Sequence, residues 1–380
     1  MKIGLLGAGT IGFGVYEIAE KIPDLEITKV LDRRDIPQLR GKLTQDAAEI
    51  LDDPAIDAVV ELLGGVEPAH SWAVRALEAG KAVVTANKLM LSENLTEMAA
   101  LSRKTGGKLR FSAAVGGGIP FLFNLLRARR VDEILEVGGI LNGTTNYMLD
   151  MMQRENLGFE QALKLAQQAG YAEQDPTADV SGGDAKCKIH LSAALAWNGM
   201  PDKHDILCEG ITSITKQDME ALSKKGYACK LLARAARQDG GISCYVEPTA
   251  VPARSVTGNI ALVENMAFWR GANAGLQRFT GAGAGRYATA YAVVNDLVDL
   301  MRHNDAFPFL AEETPLPIDN AAAAHPYLVR GMEVPGAVEI GDGLLLTGEM
   351  PVSEMHAMVA SARARGEKVF FAGVCEEQEL

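Results

Sequence analysis

Apolar runs alternate with helical spacing from residue 1 to about residue 140. Short buried-strand patterns are each followed by stretches in which apolar residues recur at three- and four-residue intervals. The predicted strands are 2–7, 26–32, 57–62 and 81–85, and the predicted helices are 11–21 and 68–79. This alternation predicts a parallel sheet with crossover helices, which is an α/β fold.

A different order of elements follows, typical of an α+β block. The predicted strands are 135–141, 205–214 and 242–252, and the predicted helices are 158–170, 184–198 and 216–237. After the Gly-rich stretch 281–285 comes one more long helix, 287–302, which we expect to return to the first domain. Residues 303–325, with Pro308, Pro315, Pro317 and alanines 321–324, have no periodicity and predict a linker. Residues 326–374 then predict strand, strand, helix (352–365) and strand (368–372).

The first predicted strand runs into a glycine motif that opens the first predicted helix, Gly7-Ala8-Gly9-Thr10-Ile11-Gly12. Its first glycine permits a tight turn, the second lets a pyrophosphate approach the backbone, and the third lets helix and strand pack closely. The helix N-terminus favours the phosphate charge. The second strand ends at Asp32, twenty residues after Gly12, where a carboxylate can hold the ribose hydroxyls. Together these features predict dinucleotide binding, with a glycine-rich turn of another α/β domain as the alternative.

The residues that follow Asp32 leave the choice of dinucleotide open. An acid favours NAD, because it repels the 2′-phosphate of NADP, whereas Arg33 or Arg34 beside it can hold that phosphate. A solvated loop is the other interpretation of the two arginines. The expected cofactor is therefore NAD or NADP.

Composition and charge narrow the class of protein. The 380 residues exceed the size of one hydrophobic core, so two or more domains are expected. A formal net charge of −12 argues against nucleic acid or an anionic membrane as the main partner. The five cysteines form no CxxC pair, which fits free thiols in a reducing compartment. No apolar run reaches the roughly 18 residues of a transmembrane helix, and no signal-peptide pattern is present, so we expect a cytoplasmic protein.

Four further segments place glycine or short polar residues where a ligand or another backbone can come close. They are 85–88, 111–120, 139–147 and 280–290. Lys88 follows a predicted parallel strand, where ligands bind, and can bridge cofactor and substrate; a surface lysine at a helix start is the alternative. The segment 280–290 opens a helix and suits a phosphate or nicotinamide contact, or a flexible interdomain turn.

Residues 170–188 carry the most informative pattern. Four acids in a loop run into a helix that begins near Asp184. Asp184 and Lys188 are four residues apart and share one helical face, which continues with apolar residues. A half-buried lysine beside a carboxylate has a tunable pKa and can transfer a proton, whereas an exposed ion pair is the alternative. The loop acids suit a substrate ammonium group.

Taken in this order, the segments resemble homoserine dehydrogenase from residue 1 to about residue 302. The resemblance rests on GAGTIG (7–12), VELLGG (60–65), TANK (85–88), GGGIP (116–120), ILNGTTNYML (140–149), GYAEQDPTADVSGGDAKCK (170–188) and GAGAGRYATA (281–290). That family reduces aspartate semialdehyde to homoserine with NAD(P)H, and also runs in reverse. The resemblance implies a Rossmann domain with an inserted α+β substrate and dimerisation domain, a small C-terminal α+β appendage and a homodimer.

The same resemblance implies roles for individual residues. Lys188 would protonate the carbonyl oxygen as the hydride arrives, and Asp184 would orient lysine and substrate. Substrate binding would involve Glu173, Asp179, Asp184, Lys88, Thr144 and Gly143, with Lys88 between nicotinamide and substrate. The implied cofactor-binding residues are Gly7, Gly9, Thr10, Ile11, Gly12, Asp32, Arg33, Lys88 and Gly285. The expected domains are 1–133 for the dinucleotide, 134–284 for substrate and dimerisation, 285–302 as closing helix, 303–325 as linker and 326–380 as appendage.

Three departures from the family are visible. Many members have a glutamate where Ser112 stands, and its carboxylate joins backbone carbonyls in holding a monovalent cation. The carbonyl counterparts are Val115, Gly117 and Ile119, so a cation held by backbone alone is a hypothesis. Lys186 replaces a small residue and brings an extra cation into or beside the pocket. The tail is shorter than the doubled ACT unit of many bacterial relatives, so threonine feedback is not expected.

Two other functions remain open on these residues. Ser112 and Lys186 would fit a related dehydrogenase that acts on a different small aldehyde or hydroxy acid. A non-catalytic dinucleotide-binding sensor, with the tail as its interaction module, is the alternative from another class, although Lys188, Asp184 and Glu173 are all present.

Overall fold

The computed structural model describes residues 1–303 and 314–376. The chain divides into two compact units. Unit 1 comprises Met1–Val131, Ala194–Met200 and Gly281–Pro315, and unit 2 comprises Asp132–Ala193, Pro201–Thr280 and Leu316–Leu380. Residues 304–313 of the predicted linker, with Pro308, and residues 377–380 of the predicted appendage lie outside the described residues.

Strands and helices follow one another along the described chain with short connections. The strands are β1 (Lys2–Leu6), β2 (Glu26–Leu31), β3 (Leu43–Thr44), β4 (Ala58–Glu61), β5 (Ala82–Thr85), β6 (Leu109–Arg110), β7 (Ile134–Ile140), β8 (Leu207–Cys208), β9 (Tyr227–Gln238), β10 (Gly241–Pro252), β11 (Glu264–Gly271), β12 (Gly275–Ala282), β13 (Ala324–His325), β14 (Tyr327–Arg330), β15 (Val338–Gly341), β16 (Leu344–Leu346), β17 (Met350–Pro351) and β18 (Phe370–Val374). The helices are α1 (Thr10–Ala19), α2 (Ala48–Leu51), α3 (Ala69–Glu78), α4 (Lys88–Thr105), α5 (Phe121–Ala128), α6 (Gly143–Arg154), α7 (Phe159–Gln168), α8 (Thr177–Val180), α9 (Gly183–Trp197), α10 (Lys216–Lys224), α11 (Arg286–Met301) and α12 (Val352–Ala364).

Unit 1 is built on a six-stranded sheet of order β3-β2-β1-β4-β5-β6, with every pair parallel. This is the Rossmann order, in which the strand sequence reverses beside β1 and opens a crevice for a dinucleotide. The central strands β4 and β5 are buried along their whole length, as expected for a parallel sheet covered on both faces. The predicted α/β fold with a Rossmann domain is confirmed.

Helix α11 packs against α1 within unit 1. A Cβ atom built on Gly14 would lie 3.1 Å from Cβ of Ala290, so only glycine lets the two helices come this close. Arg286 of α11 also bonds Glu17 of α1 at 2.7 Å and lies over the ring of Phe13. The chain therefore returns to its first helix at residues separated by 269 positions in sequence.

Unit 2 contains a ten-stranded sheet that runs β12-β11-β7-β9-β10-β18-β14-β16-β15, with β8 beside β10. Its spine is the hairpin β9–β10, in which Gln238 pairs with Gly241 and Tyr227 with Pro252. Strand β18 pairs in parallel with β10, and β14 pairs antiparallel with β18. The strands after residue 326, expected as an appendage, thus continue the same sheet as β7, β9 and β10. The predicted domain boundaries stay predictions.

The helix predicted over 216–237 is wrong beyond Lys224. There α10 ends, Gly226 adopts φ +81°, and β9 begins at Tyr227. A left-handed glycine is a common helix terminator. The Ala-, Leu- and Arg-rich sequence of β9 favours helix locally, but pairing with β7 and β10 on its two sides outweighs that preference.

Five other elements differ from the sequence patterns. The strand predicted over 205–214 forms only at Leu207–Cys208. The last strand lies at Phe370–Val374, two residues later than predicted. Helix α6 and the antiparallel strands β11 and β12 were not predicted. In residues 1–303 and 314–376, no helix combines the length and hydropathy needed to cross a bilayer.

Candidate active site

The glycine motif of unit 1 forms a tight turn between β1 and α1. Gly7 has φ +96°, and a Cβ atom on Gly12 would lie 2.0 Å from the carbonyl oxygen of Gly7. A Cβ atom on Gly9, in contrast, would meet no atom within 4 Å. Gly9 precedes the first residue of α1, so this open space lies at a helix N-terminus, where a phosphate is stabilised. The turn therefore fits the pyrophosphate of a dinucleotide.

Asp32 follows β2 and is held by both flanking segments. Its Oδ2 atom accepts a hydrogen bond from the backbone N–H of Ala8 at 2.9 Å. Arg34 donates from Nε and Nη2 to the two carboxylate oxygens, each at 2.9 Å. The Arg34 hydrogen bonds outweigh the effect of partial burial and hold the pKa of Asp32 well below its ordinary value. Asp32 is consequently an anion throughout the physiological pH range.

A cavity of about 540 Å³ opens beside this carboxylate. Its lining residues come from the glycine turn, the end of β2 and the loop after β4: Gly7, Leu31, Asp32, Arg33, Arg34, Gln45, Leu63, Gly64, Glu67, Pro68 and Trp72. Arg33, assigned from the sequence, is exposed at its rim. Arg34, which the sequence interpretation left as an alternative, is the residue that pairs with Asp32. Arg33 and Arg34 are adjacent in the sequence, so their spacing from Asp32 gives no reason to prefer one of them as its partner.

A buried network fixes the turn that presents Lys88. Thr85 donates to Glu61 at 2.5 Å, and Asn87 donates to the carbonyl of Gly65 at 2.7 Å. Burial raises the pKa of Glu61, although hydrogen bonds from Thr85 and from the backbone of Leu63 act in the opposite direction. Asn87 also caps α4 by accepting from Met90, so half-buried Lys88 is the first residue of that helix.

The two later glycine segments contact each other in unit 1. A Cβ atom on Gly117 would lie 2.5 Å from the carbonyl oxygen of Gly283, and Gly118 donates to Ala282. Glycine is needed here because the two backbone segments lie too close together to leave room for a side chain. Gly285, which precedes α11, has φ +118° and an open surrounding, so a ligand can approach it.

Ser112, at the position of the family's glutamate, binds a carboxylate of α11. Its backbone N–H and its hydroxyl donate to Asp296 at 2.9 and 2.7 Å. The carbonyl of Ile119 already accepts from Phe121 at 2.7 Å, while Val115 and Ile119 are buried. No group of three or more His, Cys, Asp or Glu in the described ranges could hold a metal ion. The backbone cation site at Val115, Gly117 and Ile119 stays a prediction.

In unit 2, Lys188 and Asp184 form a buried ion pair on α9. The lysine Nζ atom lies 2.7 Å from Oδ2 of Asp184 and 2.6 Å from the carbonyl oxygen of Leu141, at the end of β7. The two side chains are only 9% and 7% exposed. A desolvated ammonium held by a carboxylate and a carbonyl is an oriented proton donor.

Asn142 joins this pair to a second carboxylate, and the sequence interpretation did not single it out. Its Nδ2 atom donates to Asp179 at 2.7 Å and to Asp184 at 2.8 Å, and its Oδ1 atom accepts from the backbone of Thr145. It therefore caps α6 and bridges two acids that lie 37 and 42 residues away. The Asn-Gly pair after a predicted strand was the available signal, and it also fits a hairpin turn.

Asp179 lies partly buried beside these groups. Burial raises its pKa, the hydrogen bond from Asn142 opposes this, and the neighbouring charge of Asp184 raises it again. Thr144, buried at the start of α6, donates to the carbonyl of Tyr171 at 2.7 Å, which holds the acidic loop against the helix. Gly143 precedes it in the first turn.

Two sequence-assigned residues lie outside this cluster. Glu173 is exposed in the loop, and its backbone carbonyl accepts a hydrogen bond from Gln167. Lys186 is half-buried on α9 and acts electrostatically on the thiols of Cys208 and Cys244. The residues that the structure brings together are Lys188, Asp184, Asp179, Asn142, Gly143 and Thr144.

A carbonyl that receives a hydride must also receive a proton, so a dinucleotide-binding unit and a buried proton-donating lysine on one chain belong together chemically. They define a nicotinamide-dependent oxidoreductase that acts on a CH–OH group. Two family models match: the NAD-binding domain of homoserine dehydrogenase over residues 7–112, and homoserine dehydrogenase over residues 120–298. The chain belongs to the homoserine dehydrogenase family.

Individual relatives agree with the family models. A homoserine dehydrogenase of Bacillus subtilis is 36% identical over 317 residues, which cover 80% of this chain and 73% of the relative. That of Pseudomonas aeruginosa is 34% identical over 363 residues, covering 89% and 83%. The crystal structure of a homoserine dehydrogenase from Thiobacillus denitrificans superposes with a TM-score of 0.87 and 31% identity, covering 99% of this chain and 98% of the other.

Proposed function

We propose that the protein catalyses the reversible, NAD(P)H-dependent reduction of L-aspartate 4-semialdehyde to L-homoserine, with Lys188 as the acid/base. The observation that carries the assignment is the buried pair of Lys188 and Asp184 at the end of β7. Membership of the family supplies the substrate, and the residue roles are supported by the geometry of the cluster.

The nicotinamide, when bound, supplies the hydride for reduction and accepts it in oxidation. Lys188 stabilises the negative charge that grows on the carbonyl oxygen, and it transfers a proton from Nζ to that oxygen. In oxidation the neutral amine takes the same proton from the homoserine hydroxyl. Asp184 holds Nζ in one direction, while the carbonyl of Leu141 fixes the other side.

The substrate's amino end is assigned to acidic side chains. We assign Asp179 and Glu173 to the ammonium group, Asp184 to orientation, and Gly143 and Thr144 to the neighbouring part of the pocket. Asn142 donates to both Asp179 and Asp184 and holds the two carboxylates side by side, which supports the assignment of Asp179. Glu173 is exposed in the loop, so its assignment rests on the family resemblance.

The cofactor assignment rests on the open space at Gly9 and on the cavity beside Asp32. Gly7, Gly9, Thr10, Ile11 and Gly12 would hold the pyrophosphate and Asp32 the ribose, with Arg33 beside it. Lys88 and Gly285 are assigned to the cofactor, and Lys88 to the substrate as well. The cofactor is NAD or NADP.

We also propose that the protein works as a homodimer in the cytoplasm. Both statements rest on the family resemblance. The proposed location agrees with the five cysteines, all of which are free thiols. Analytical ultracentrifugation at several concentrations measures the dimer directly.

The deciding experiment is homoserine oxidation followed by nicotinamide absorbance, with NAD and with NADP, beside a panel of small 2-amino and 2-hydroxy alcohols. We expect the highest kcat/KM for homoserine. A higher kcat/KM for another alcohol would contradict homoserine as the substrate. Cofactor binding without any turnover would contradict the assignment as an enzyme. Adding threonine in a parallel series tests the expectation that feedback is absent.

A further inference from the structure

A second cavity lies in unit 2, on the sheet formed by β9 and β10. It measures about 240 Å³, and none of its lining residues belongs to the proposed active site. The floor consists of alternate residues of the hairpin, with Tyr245 opposite Arg234 and Ser243 opposite Ala236. The wall consists of residues 322–325. Gln238 completes the lining at the end of the hairpin.

The hydroxyl groups of this floor have unused hydrogen-bonding capacity. Ser243 and Tyr245 are 1% and 4% exposed, and within residues 1–303 and 314–376 neither hydroxyl has a hydrogen-bond partner. Neither hydroxyl oxygen is among the fully enclosed, partnerless polar atoms of the described residues, so both face the cavity, where they can bond water or a ligand. Two of them side by side in one cavity indicate a place where a polar molecule binds.

The charge of the lining indicates which kind of molecule. Arg234 is the cationic residue of the floor, and its guanidinium is held in one orientation by Glu136, at 2.9 and 2.7 Å. Its Nη1 atom faces only the weak sulfur acceptor of Cys375, at 3.4 Å. Among the described residues that line the cavity, none is a carboxylate. The lining therefore offers a guanidinium and two hydroxyl donors, while the neighbouring carboxylates are engaged outside it, Glu136 with Arg234 and Glu247 with His325.

The wall of the cavity is anchored from outside. His325 donates from Nε2 to the carboxylate of Glu247 at 2.8 Å and stacks on Tyr245, with ring centroids 6.0 Å apart. The preceding segment is tied to the hairpin, because Cys244 donates its backbone N–H to Asn320 at 2.7 Å. The shape is thus largely present before any ligand arrives, which lowers the entropic cost of binding.

We propose that this cavity binds a small organic carboxylate that carries a further hydrogen-bonding group. The carboxylate contacts Arg234, and the hydroxyls of Ser243 and Tyr245 bond the ligand's oxygens. A volume of about 240 Å³ lies below the ~300–1,000 Å³ of pockets for drug-sized ligands, so the ligand is of small-metabolite size. This site is distinct from the cluster around Lys188 and does not depend on the function proposed for that cluster.

The test uses L-lactate as probe and L-lactamide as its uncharged, equally sized control, with saturation-transfer NMR on the full chain. We expect a signal for lactate and a much weaker one for lactamide. Ser243→Ala and Tyr245→Phe each remove one donor to the bound anion, which should weaken lactate binding about tenfold. Both variants should keep the wild-type unfolding temperature and dehydrogenase turnover, since neither residue contacts the proposed active site.

Changes at the proposed active site test whether lactate binds there instead of in the second cavity. Asp179→Asn, and homoserine added in excess, should leave the lactate signal unchanged. The proposal is overturned by equal binding of lactamide, by the absence of any lactate signal, by unchanged binding in the Ser243 and Tyr245 variants, or by displacement with homoserine.

Discussion

The ammonium group of Lys188 lies 2.7 Å from the carboxylate of Asp184, one helical turn earlier in α9. Both side chains are buried, so removing either one would leave the other as an unpaired buried charge, which is strongly destabilising. Because one helix fixes their spacing, the pair is oriented before the substrate arrives. The backbone carbonyl of Leu141 selects the direction in which Nζ can point.

Lys188→Ala should lower kcat by roughly 10²–10⁴-fold, since the carbonyl oxygen loses its proton donor. Cofactor affinity should stay unchanged, because the dinucleotide residues belong to unit 1. Steady-state kinetics and fluorescence titration with NADH measure the two quantities. Lys164→Ala, at an exposed lysine of α7, is the matched control and should behave as wild type. Unchanged kcat in the folded Lys188→Ala variant would contradict the acid/base role.

Asp179→Asn should raise the stability of the folded protein and raise its KM for homoserine. Burial raises the pKa of Asp179, so the folded state loses stability as the pH rises from the ordinary pKa of an aspartate through that raised pKa. The variant should therefore unfold at a higher temperature than wild type at pH 7. The difference should shrink towards about pH 4, where an ordinary aspartate becomes protonated.

The KM of the same variant for homoserine should rise, because an amide does not pair with the substrate ammonium group. Scanning calorimetry at the two pH values and steady-state kinetics provide the readouts. A lower unfolding temperature at pH 7 would show that the carboxylate is not strained by burial. An unchanged KM would remove Asp179 from the substrate site.

Gly9→Ala and Gly12→Ala separate ligand binding from folding. The Gly9 variant adds a methyl group into open space, so it should fold as wild type but weaken NAD(P) binding by obstructing the pyrophosphate. The Gly12 variant pushes Cβ against the carbonyl of Gly7, and such overpacking costs about 1–3 kcal/mol or more. Urea unfolding and cofactor titration distinguish them. Equal losses of stability in both variants would contradict this division.

Two substitutions at the end of β2 should move cofactor preference in opposite directions. Asp32→Ser removes an anion that is ionised at every physiological pH, so the ratio of kcat/KM for NADP over NAD should rise. Arg33→Ala removes an exposed guanidinium from the rim of the cavity and should lower that ratio. Kinetics with both cofactors provide the test, and a shift in the same direction for both variants would refute the assignment.

Asn142→Ala should reduce both stability and turnover. Loss of the α6 cap costs roughly 1 kcal/mol, and two carboxylates lose their shared donor. Thermal unfolding measures the first effect and kcat the second. Thr215→Ala, at the cap of α10, is the matched control: it removes a similar cap and should lower stability while leaving kcat unchanged.

Local sequence patterns predicted the parts of the site whose residues lie close together in the chain. The turn from Gly7 to Gly12, the acid at Asp32 and the pair Asp184–Lys188 each follow from spacing within one or two elements. The bridge through Asn142 could not be predicted this way, because it joins acids that lie far along the chain. Arg34 was not preferred over Arg33, since side-chain direction after β2 depends on the position of Ala8.

The fold was predicted best where each strand pairs with one close in sequence. The parallel order of unit 1 follows from alternating elements. In unit 2, β9 has a helix-favouring sequence and becomes a strand through its neighbours β7 and β10, one of them some 90 residues earlier. The short strands β14 and β18 likewise gave no indication that they extend the sheet of β10 rather than forming a module of their own.

Because β18 pairs with β10, the sheet of unit 2 can be completed only near the end of translation. All six strands of the unit 1 sheet have been synthesised once residue 110 has left the ribosome. The sheet of unit 2, in contrast, keeps the end of the β10 edge at Thr249 and Ala250 unpaired until residue 374 emerges, whereas β8 already covers Tyr245 and Val246. During translation that edge is open to other chains, so completion of this sheet is a late event, and premature termination before β18 would leave an aggregation-prone strand exposed.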